Sequence, residues 1–175
     1  MEPKPASSLT KAIIISLILI ILSLVALFMN LDLSGVYQYL GYVVYLGGVI
    51  WGIWYFGKQI NYNATFGKYF SHGFAIVAIV TVVMIIFTVI EISAFPDFKN
   101  KLLEKSMEKM QSNPNANEEQ AKMGFEFFKK HFMLFMVSGT MLSFIFFGTI
   151  AALIGAGVTR KNPRPIFEDD IKTIG

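Results

Sequence analysis

The chain has 175 residues, of which 54% are hydrophobic and only 15% are charged, and its formal net charge at pH 7 is +3. Soluble domains carry about 25% charged residues, so this composition excludes an ordinary soluble domain and indicates an integral membrane protein. The chain contains no cysteine, which excludes disulfides, thiolate chemistry and cysteine-ligated metal sites.

Four continuous apolar runs predict four transmembrane helices. Crossing about 30 Å of hydrocarbon takes roughly 17 to 25 helical residues. Runs of suitable length cover residues 12–29, 36–56, 73–92 and 132–158. They lack the period-two alternation of β-barrel strands, and the first is longer than the apolar core of a signal peptide. We therefore predict an all-α integral membrane protein whose membrane domain spans residues 12–158.

The basic residues of the short segments predict the orientation of the helices. Those that flank the predicted spans at one end are Lys4, Lys11, Lys58, Lys68, Arg160, Lys161 and Arg164. The loop at the other end, residues 30–35, has no lysine or arginine. Because short cytoplasmic segments are enriched in Lys and Arg, we expect residues 1–11 and the tail 159–175 to lie in the cytoplasm.

The connection between the third and fourth spans, residues 93–131, has the pattern of an amphipathic helical hairpin. Its first half places apolar side chains at helical spacing: Phe98, Leu102, Leu103, Met107 and Met110. The stretch QSNPNAN, residues 111–117, interrupts this pattern, and a second helix is expected to begin near Asn115 or Asn117. The apolar stripe either binds a partner protein or lies against the membrane interface.

Glu91 is an acidic residue at the end of the third predicted span. It is either an interfacial carboxylate or one member of a charge pair with His131 or Lys130 at the outer interface. His72 lies 19 residues earlier on the same helix, roughly 28 Å away at 1.5 Å per residue, so the two cannot share a site. His72 is grouped instead with Lys58, Lys68, Arg160 and Lys161 at the cytoplasmic end, which form either a basic collar beside anionic lipid or a pocket for an anion or lipid headgroup. We predict no catalytic residue, no cofactor and no metal site.

Small residues form stripes on two spans. They are Gly41, Gly48 and Gly52 on the second span and Gly148, Ala152 and Ala156 on the fourth. Such stripes let helix backbones approach closely, either within one chain or between chains. The mid-depth residues include no Asp, Lys or Arg, so the usual signature of an ion-coupled transporter is missing.

The order of several segments resembles a known family. The segments are the loop NYNATFGKYFSHGF (61–74), an apolar span, FPDF (95–98), a charged helical linker and GTIAALIGAGVTRK (148–161). This order, with Thr65, Phe66, Phe74, Pro96 and Asp97, is similar to bacterial multi-pass membrane proteins grouped as domain of unknown function 4199. The resemblance implies a four-span bacterial inner-membrane protein with a helical excursion between spans three and four. It implies no activity and no cofactor. The orientation expected from the basic residues places this excursion in the periplasm.

We expect a non-enzymatic accessory or interaction subunit of a larger membrane assembly. The alternative is a homo-oligomeric permeation or lipid-handling protein in which Ser138, Thr140 and Ser143 line a shared path. A membrane enzyme built on Glu91 and His131 would lack a nucleophile and an orienting third group. The expected partners are membrane lipid and either a membrane protein or a second copy of the chain, and not nucleic acid or metal.

Overall fold

The computed structural model describes residues 7–29, 36–111 and 118–159. These residues form six α-helices and no β-strand: α1 (Ser8–Phe28), α2 (Val36–Gln59), α3 (Phe66–Ala94), α4 (Pro96–Gln111), α5 (Glu118–Lys130) and α6 (Phe132–Thr159). Helices α1, α2, α3 and α6 are long and apolar enough to cross a membrane. The prediction of an all-α protein with four membrane-spanning helices is thus confirmed.

Two of these helices begin earlier than the apolar runs suggested. Helix α1 starts at Ser8, because the side chain of Ser7 caps it by accepting a hydrogen bond from the backbone N–H of Thr10 at 3.3 Å. Helix α3 starts at Phe66, seven residues before the predicted span. As a result Lys11 and His72 are both helical residues.

The chain divides into two compact units. The first unit comprises residues 1–80 and 144–175, and the second unit comprises residues 81–143. The described part of the first unit contains α1, α2, the first half of α3 and the second half of α6. Its buried apolar core is formed by Ala12, Ile15, Leu19, Tyr45, Val49, Ile53, Ile76, Val77, Val80, Ala151, Ala152 and Ala156.

Small residues bring the helices of the first unit close together. A Cβ placed on Gly48 would lie 2.9 Å from Ile15 of α1, and one placed on Gly52 would lie 2.8 Å from Ile76 of α3. Ala152 and Ala156 of α6 are fully buried. These contacts lie within one chain. Gly41 differs, since no atom lies within 4 Å of its Cβ position.

Tyr45 of α2 contacts α6 at a point where the two helices lie close together. Its hydroxyl donates a hydrogen bond to the backbone carbonyl of Phe144 at 2.8 Å, and its ring packs on the Phe144 ring at 4.7 Å between centroids. The hydroxyl occupies the space that a side chain at Gly148 would need. Gly148 is therefore the residue that lets a buried tyrosine cross between the two helices.

The turn between α2 and α3 carries two consecutive left-handed residues, Asn61 (φ 51°) and Tyr62 (φ 58°). Asparagine tolerates this conformation, whereas a bulky residue such as tyrosine adopts it rarely. The N–H of Tyr62 donates to the carbonyl of Gly57 at 2.7 Å, which closes the end of α2. A Cβ placed on Gly57 would meet Thr159, the last residue of α6. The ends of α2 and α6 thus lie together.

The second unit contains the end of α3, helices α4 and α5, and the start of α6. Pro96 occupies the first position of α4, where its missing N–H leaves no bond unmade. Helices α4 and α5 pack against each other. Residues 112–117 lie outside the described residues. They include most of the predicted break and the predicted helix start at Asn115 or Asn117. The hairpin arrangement of the two helices stays a prediction.

We expect Gly148→Ala to destabilise the protein, because the added methyl group would overlap the Tyr45 hydroxyl and lie 2.7 Å from a Val77 methyl group. Overpacking of this kind costs about 1 to 3 kcal/mol. The matched control is Gly157→Ala on the same helix, where no atom lies within 4 Å of the Cβ position. Thermal unfolding in mild detergent measures both. Equal midpoints for the two variants would contradict the proposed close approach, and adding Tyr45→Phe should relieve part of the loss in Gly148→Ala.

Candidate functional site

Lys11 is a buried lysine in the first turns of α1, with 1% of its surface exposed. It lies on the same helix face as Ala12, Ile15 and Leu19, all of which are buried. Its stem passes Gly52 of α2, whose Cβ position is 3.6 Å from Lys11 Cδ. A buried ammonium group must be solvated by protein groups, because burial of an isolated charge is very costly.

His72 of α3 lies between Lys11 and a serine. Its Nε2 is 3.0 Å from Lys11 Nζ, and its Nδ1 is 3.0 Å from Ser8 Oγ. An ammonium group can only donate, so Nε2 accepts from Lys11 and the ring proton is on Nδ1. Nδ1–H then donates to Ser8 Oγ. The hydroxyl hydrogen of Ser8 remains available for a further acceptor.

Aromatic rings of α2 form one wall of this cluster. The Phe56 ring stacks on the His72 ring with centroids 4.0 Å apart and planes 9° from parallel. Lys11 Nζ lies 5.4 Å from the Phe56 centroid and 5.6 Å from the Tyr55 centroid, within the range of cation–π attraction. We call Ser8, Lys11 and His72, with the Phe56 ring, the Lys11 cluster. It connects α1, α2 and α3.

Two buried hydroxyl groups lie near Phe56 and Gly57. The Tyr69 ring meets the Phe56 ring edge-on at 6.1 Å, and its hydroxyl lies by the Ala64 backbone but outside normal hydrogen-bond geometry. Thr159, whose methyl group is next to Gly57, has a buried Oγ1 with no hydrogen-bond partner among the described residues. Leaving such a group unpaired costs about 1 to 3 kcal/mol. Ordered water or a ligand atom is the expected partner at such positions.

The predicted outer-interface residues belong to the second unit. Glu91 is buried, with 7% of its surface exposed. The Nδ1–H of His131 donates to the carbonyl of Phe127 at 3.0 Å, one helical turn back, and the two rings lie 4.5 Å apart. Lys130 is exposed. A charge pair between Glu91 and His131 or Lys130 stays a prediction.

The predicted partner surface on α4 is only partly exposed. Phe98, Leu102, Leu103 and Met110 are half-buried, and Met107 is exposed. The more exposed apolar side chains are on α5, where Met123 and Phe127 have 68% and 58% of their surface exposed. They are four residues apart, so they lie on one face of the helix.

The basic residues assigned to the cytoplasmic end differ in their surroundings. Lys58 and Lys68 are exposed, and Lys58 Nζ lies 5.2 Å from the Trp54 ring. Arg160 and Lys161 lie outside the described residues. Within residues 7–29, 36–111 and 118–159, no group of three His, Asp or Glu side chains is arranged to hold a metal ion.

Sequence reasoning treated Lys11 as a flanking charge and did not pair it with His72. One signal could have shown its burial. Lys11, Ile15 and Leu19 recur every four residues, and a Ser-Ser-Leu-Thr start upstream of Lys11 is a helix N-terminus pattern. The partner on α3, 61 residues further along the chain, could not be found from periodicity.

We expect His72 to carry its proton on Nδ1, with Nε2 unprotonated, as long as Lys11 is its donor. The measurement is ¹⁵N NMR of histidine-labelled protein, with His131→Gln used to assign the signals of the two histidines. Lys11→Met should move the His72 proton toward Nε2, which solvent-exposed imidazole prefers, whereas Lys58→Met should leave the spectrum unchanged. A protonated Nε2 in the unmodified chain would contradict the hydrogen-bond assignment.

The comparisons with known proteins match this chain at the level of a family. The family model described as "Protein of unknown function (DUF4199)" matches residues 10–161. The matched range includes Lys11 and His72, and Ser8 lies just before it. A search of curated proteins and a search of solved structures each gave no significant match.

Proposed function

This chain belongs to the DUF4199 family, whose description states no function, and we propose that it is a non-enzymatic accessory or interaction subunit of a larger membrane assembly. We place it in a bacterial inner membrane with both termini in the cytoplasm. Helices α4 and α5 then lie on the periplasmic side. The proposal rests mainly on one observation, the apolar face of α5.

Helix α5 lies outside the four apolar spans and still exposes large apolar side chains. Met123 and Phe127 are flanked by the charged residues Lys122 and Glu126, which are also exposed. Burying a side chain of this size contributes about 1.5 to 3 kcal/mol. An apolar face rimmed by polar residues is typical of a site that binds another protein.

The charge balance of this region favours a protein partner over the membrane surface. Residues 96–130 contain seven lysines and six acidic residues. Helices that bind anionic lipid surfaces are usually rich in Lys and Arg on their polar face. The nearly balanced charge of α4 and α5 gives little attraction to such a surface, so we assign the apolar face of α5 to a partner protein.

We expect the tagged protein, purified in mild detergent or native nanodiscs, to carry a second chain at a fixed stoichiometry. Met123→Ser combined with Phe127→Ser should reduce this recovery about tenfold or more, as loss of a buried anchor does. The matched control is Lys122→Ser with Glu126→Ser, which changes two neighbouring exposed positions at the same spacing and leaves the net charge unchanged. Mass measurement and quantification of copurifying chains provide the readout.

Two results would contradict the interaction proposal. A homo-oligomer without any second chain would favour the permeation or lipid-handling alternative, and flux measurements would follow. If both double variants recover the same amount of the second chain, the apolar face of α5 does not bind it.

The proposed orientation predicts which positions are accessible from outside the inner membrane. Since the chain has no cysteine, Ser34→Cys, Asn113→Cys and Ser7→Cys each create a single thiol. In intact cells we expect a membrane-impermeant thiol reagent to label the first two variants and not the third. All three should react after the membrane is opened. Labelling of Ser7→Cys in intact cells would overturn the orientation.

A further inference from the structure

We propose that the Lys11 cluster is a binding site for a phosphoryl group. The described residues of the first unit contain three lysines (Lys11, Lys58 and Lys68) and no aspartate or glutamate. These three lysines contribute a positive potential that favours an anion at this end of the helices. This property concerns the first unit and is independent of the α5 face, which belongs to the second unit.

The donors at the site suit an oxyanion. The Ser8 hydroxyl accepts from His72 Nδ1–H and keeps its own hydrogen to donate. Ser8 and His72 are half-buried and so can be reached from solvent, whereas the Lys11 ammonium lies deeper, beside His72 Nε2. An anion at Ser8 would meet a hydroxyl donor, with the Lys11 ammonium on the other side of the His72 imidazole. Hydrogen bonds to charged groups are the strong ones.

The start of α1 adds to this attraction. The Thr10 N–H donates to the side-chain oxygen of Ser7, and the Lys11 N–H donates to the carbonyl of Ser7. The amides of Ser8 and Leu9 belong to the same first turn, where a helix offers no internal acceptor. The positive end of the helix dipole is at this point. The Lys11 ammonium, the Ser8 hydroxyl and the first turn of α1 thus act on the same region.

The depth of the site matches that of lipid phosphates. Lys11 is three residues from the start of α1 and His72 six residues from the start of α3, or about 5 Å and about 9 Å along the helix axes. Helices that span the hydrocarbon end in the headgroup layer, where phosphoryl groups are concentrated. The source of the phosphoryl group is either an anionic lipid headgroup or free phosphate.

Two buried hydroxyl groups lie near the aromatic side of the cluster. Phe56 holds the His72 ring by stacking and also contacts Tyr69, whose hydroxyl is buried and outside hydrogen-bond geometry. Oγ1 of Thr159, next to Gly57, is a second buried hydroxyl without a partner among the described residues. Buried hydroxyls of this kind are suited to bind ordered water or a ligand oxygen.

The test uses the full-length protein in a zwitterionic detergent, titrated with dihexanoyl-phosphatidylglycerol in one arm and with inorganic phosphate in the other. The thermal midpoint and native mass spectrometry report binding. The variants are Lys11→Met and Ser8→Ala, and the control is Lys58→Met, which removes the same charge at an exposed position of the first unit. We expect the probe to raise the thermal midpoint of the unmodified chain and of Lys58→Met at the same concentrations. Lys11→Met should need about tenfold more probe for the same rise in midpoint.

The two arms separate the sources of the phosphoryl group. Stabilisation by the lipid alone identifies a headgroup site, and stabilisation by both probes identifies a phosphate site; either result supports the proposal. If Lys11→Met fails to fold, Ser8→Ala decides, because this small, half-buried residue tests the hydroxyl donor alone. The proposal is overturned if neither probe stabilises the unmodified chain. It is also overturned if the Lys11 and Ser8 variants both respond like Lys58→Met.

Discussion

The contact between Lys11 Nζ and His72 Nε2, at 3.0 Å, is the interaction on which the organisation of the first unit depends. A lysine that is almost fully buried in an apolar helix bundle requires protein groups that replace its hydration. The imidazole supplies an acceptor, and the Tyr55 and Phe56 rings supply the faces of two aromatic systems. The ammonium group of α1 thereby contacts groups of both α2 and α3.

Close packing of small residues makes this arrangement sterically possible. Gly52 of α2 leaves room for Ile76 of α3, and Gly48 leaves room for Ile15 of α1. Between α2 and α6, Gly148 accommodates the buried Tyr45 hydroxyl. In lipid the hydrophobic effect does not drive helices together, so van der Waals contact of this kind and a few hydrogen bonds provide the association energy.

Polar chemistry is thus concentrated near the helix ends. The Lys11 cluster combines a cation, an imidazole and a hydroxyl in the first turns of α1 and α3. Deeper in α1, the buried Ser16 Oγ has no hydrogen-bond partner among the described residues. Some other hydroxyls of the spans bond within their own helix. Thr149, for example, donates to the carbonyl of Ile145 at 2.6 Å. In the second unit, Met123 and Phe127 are large apolar side chains exposed on α5. The two proposed binding roles draw on these features of the two units.

The sequence by itself determined the all-α class and the four spans, because continuous apolar runs and charge depletion are local properties that only a membrane environment explains. The order of its segments resembled the family that the family model then matched. The sequence also identified the small-residue stripes, since helical spacing is local. It did not reveal that Lys11 faces inward or that His72 meets it, because that pairing joins residues 61 positions apart through the packing of α1 and α3. Only the tertiary structure decided this, since the rotation of each helix about its axis depends on which side chains fit beside Gly48, Gly52 and Phe56.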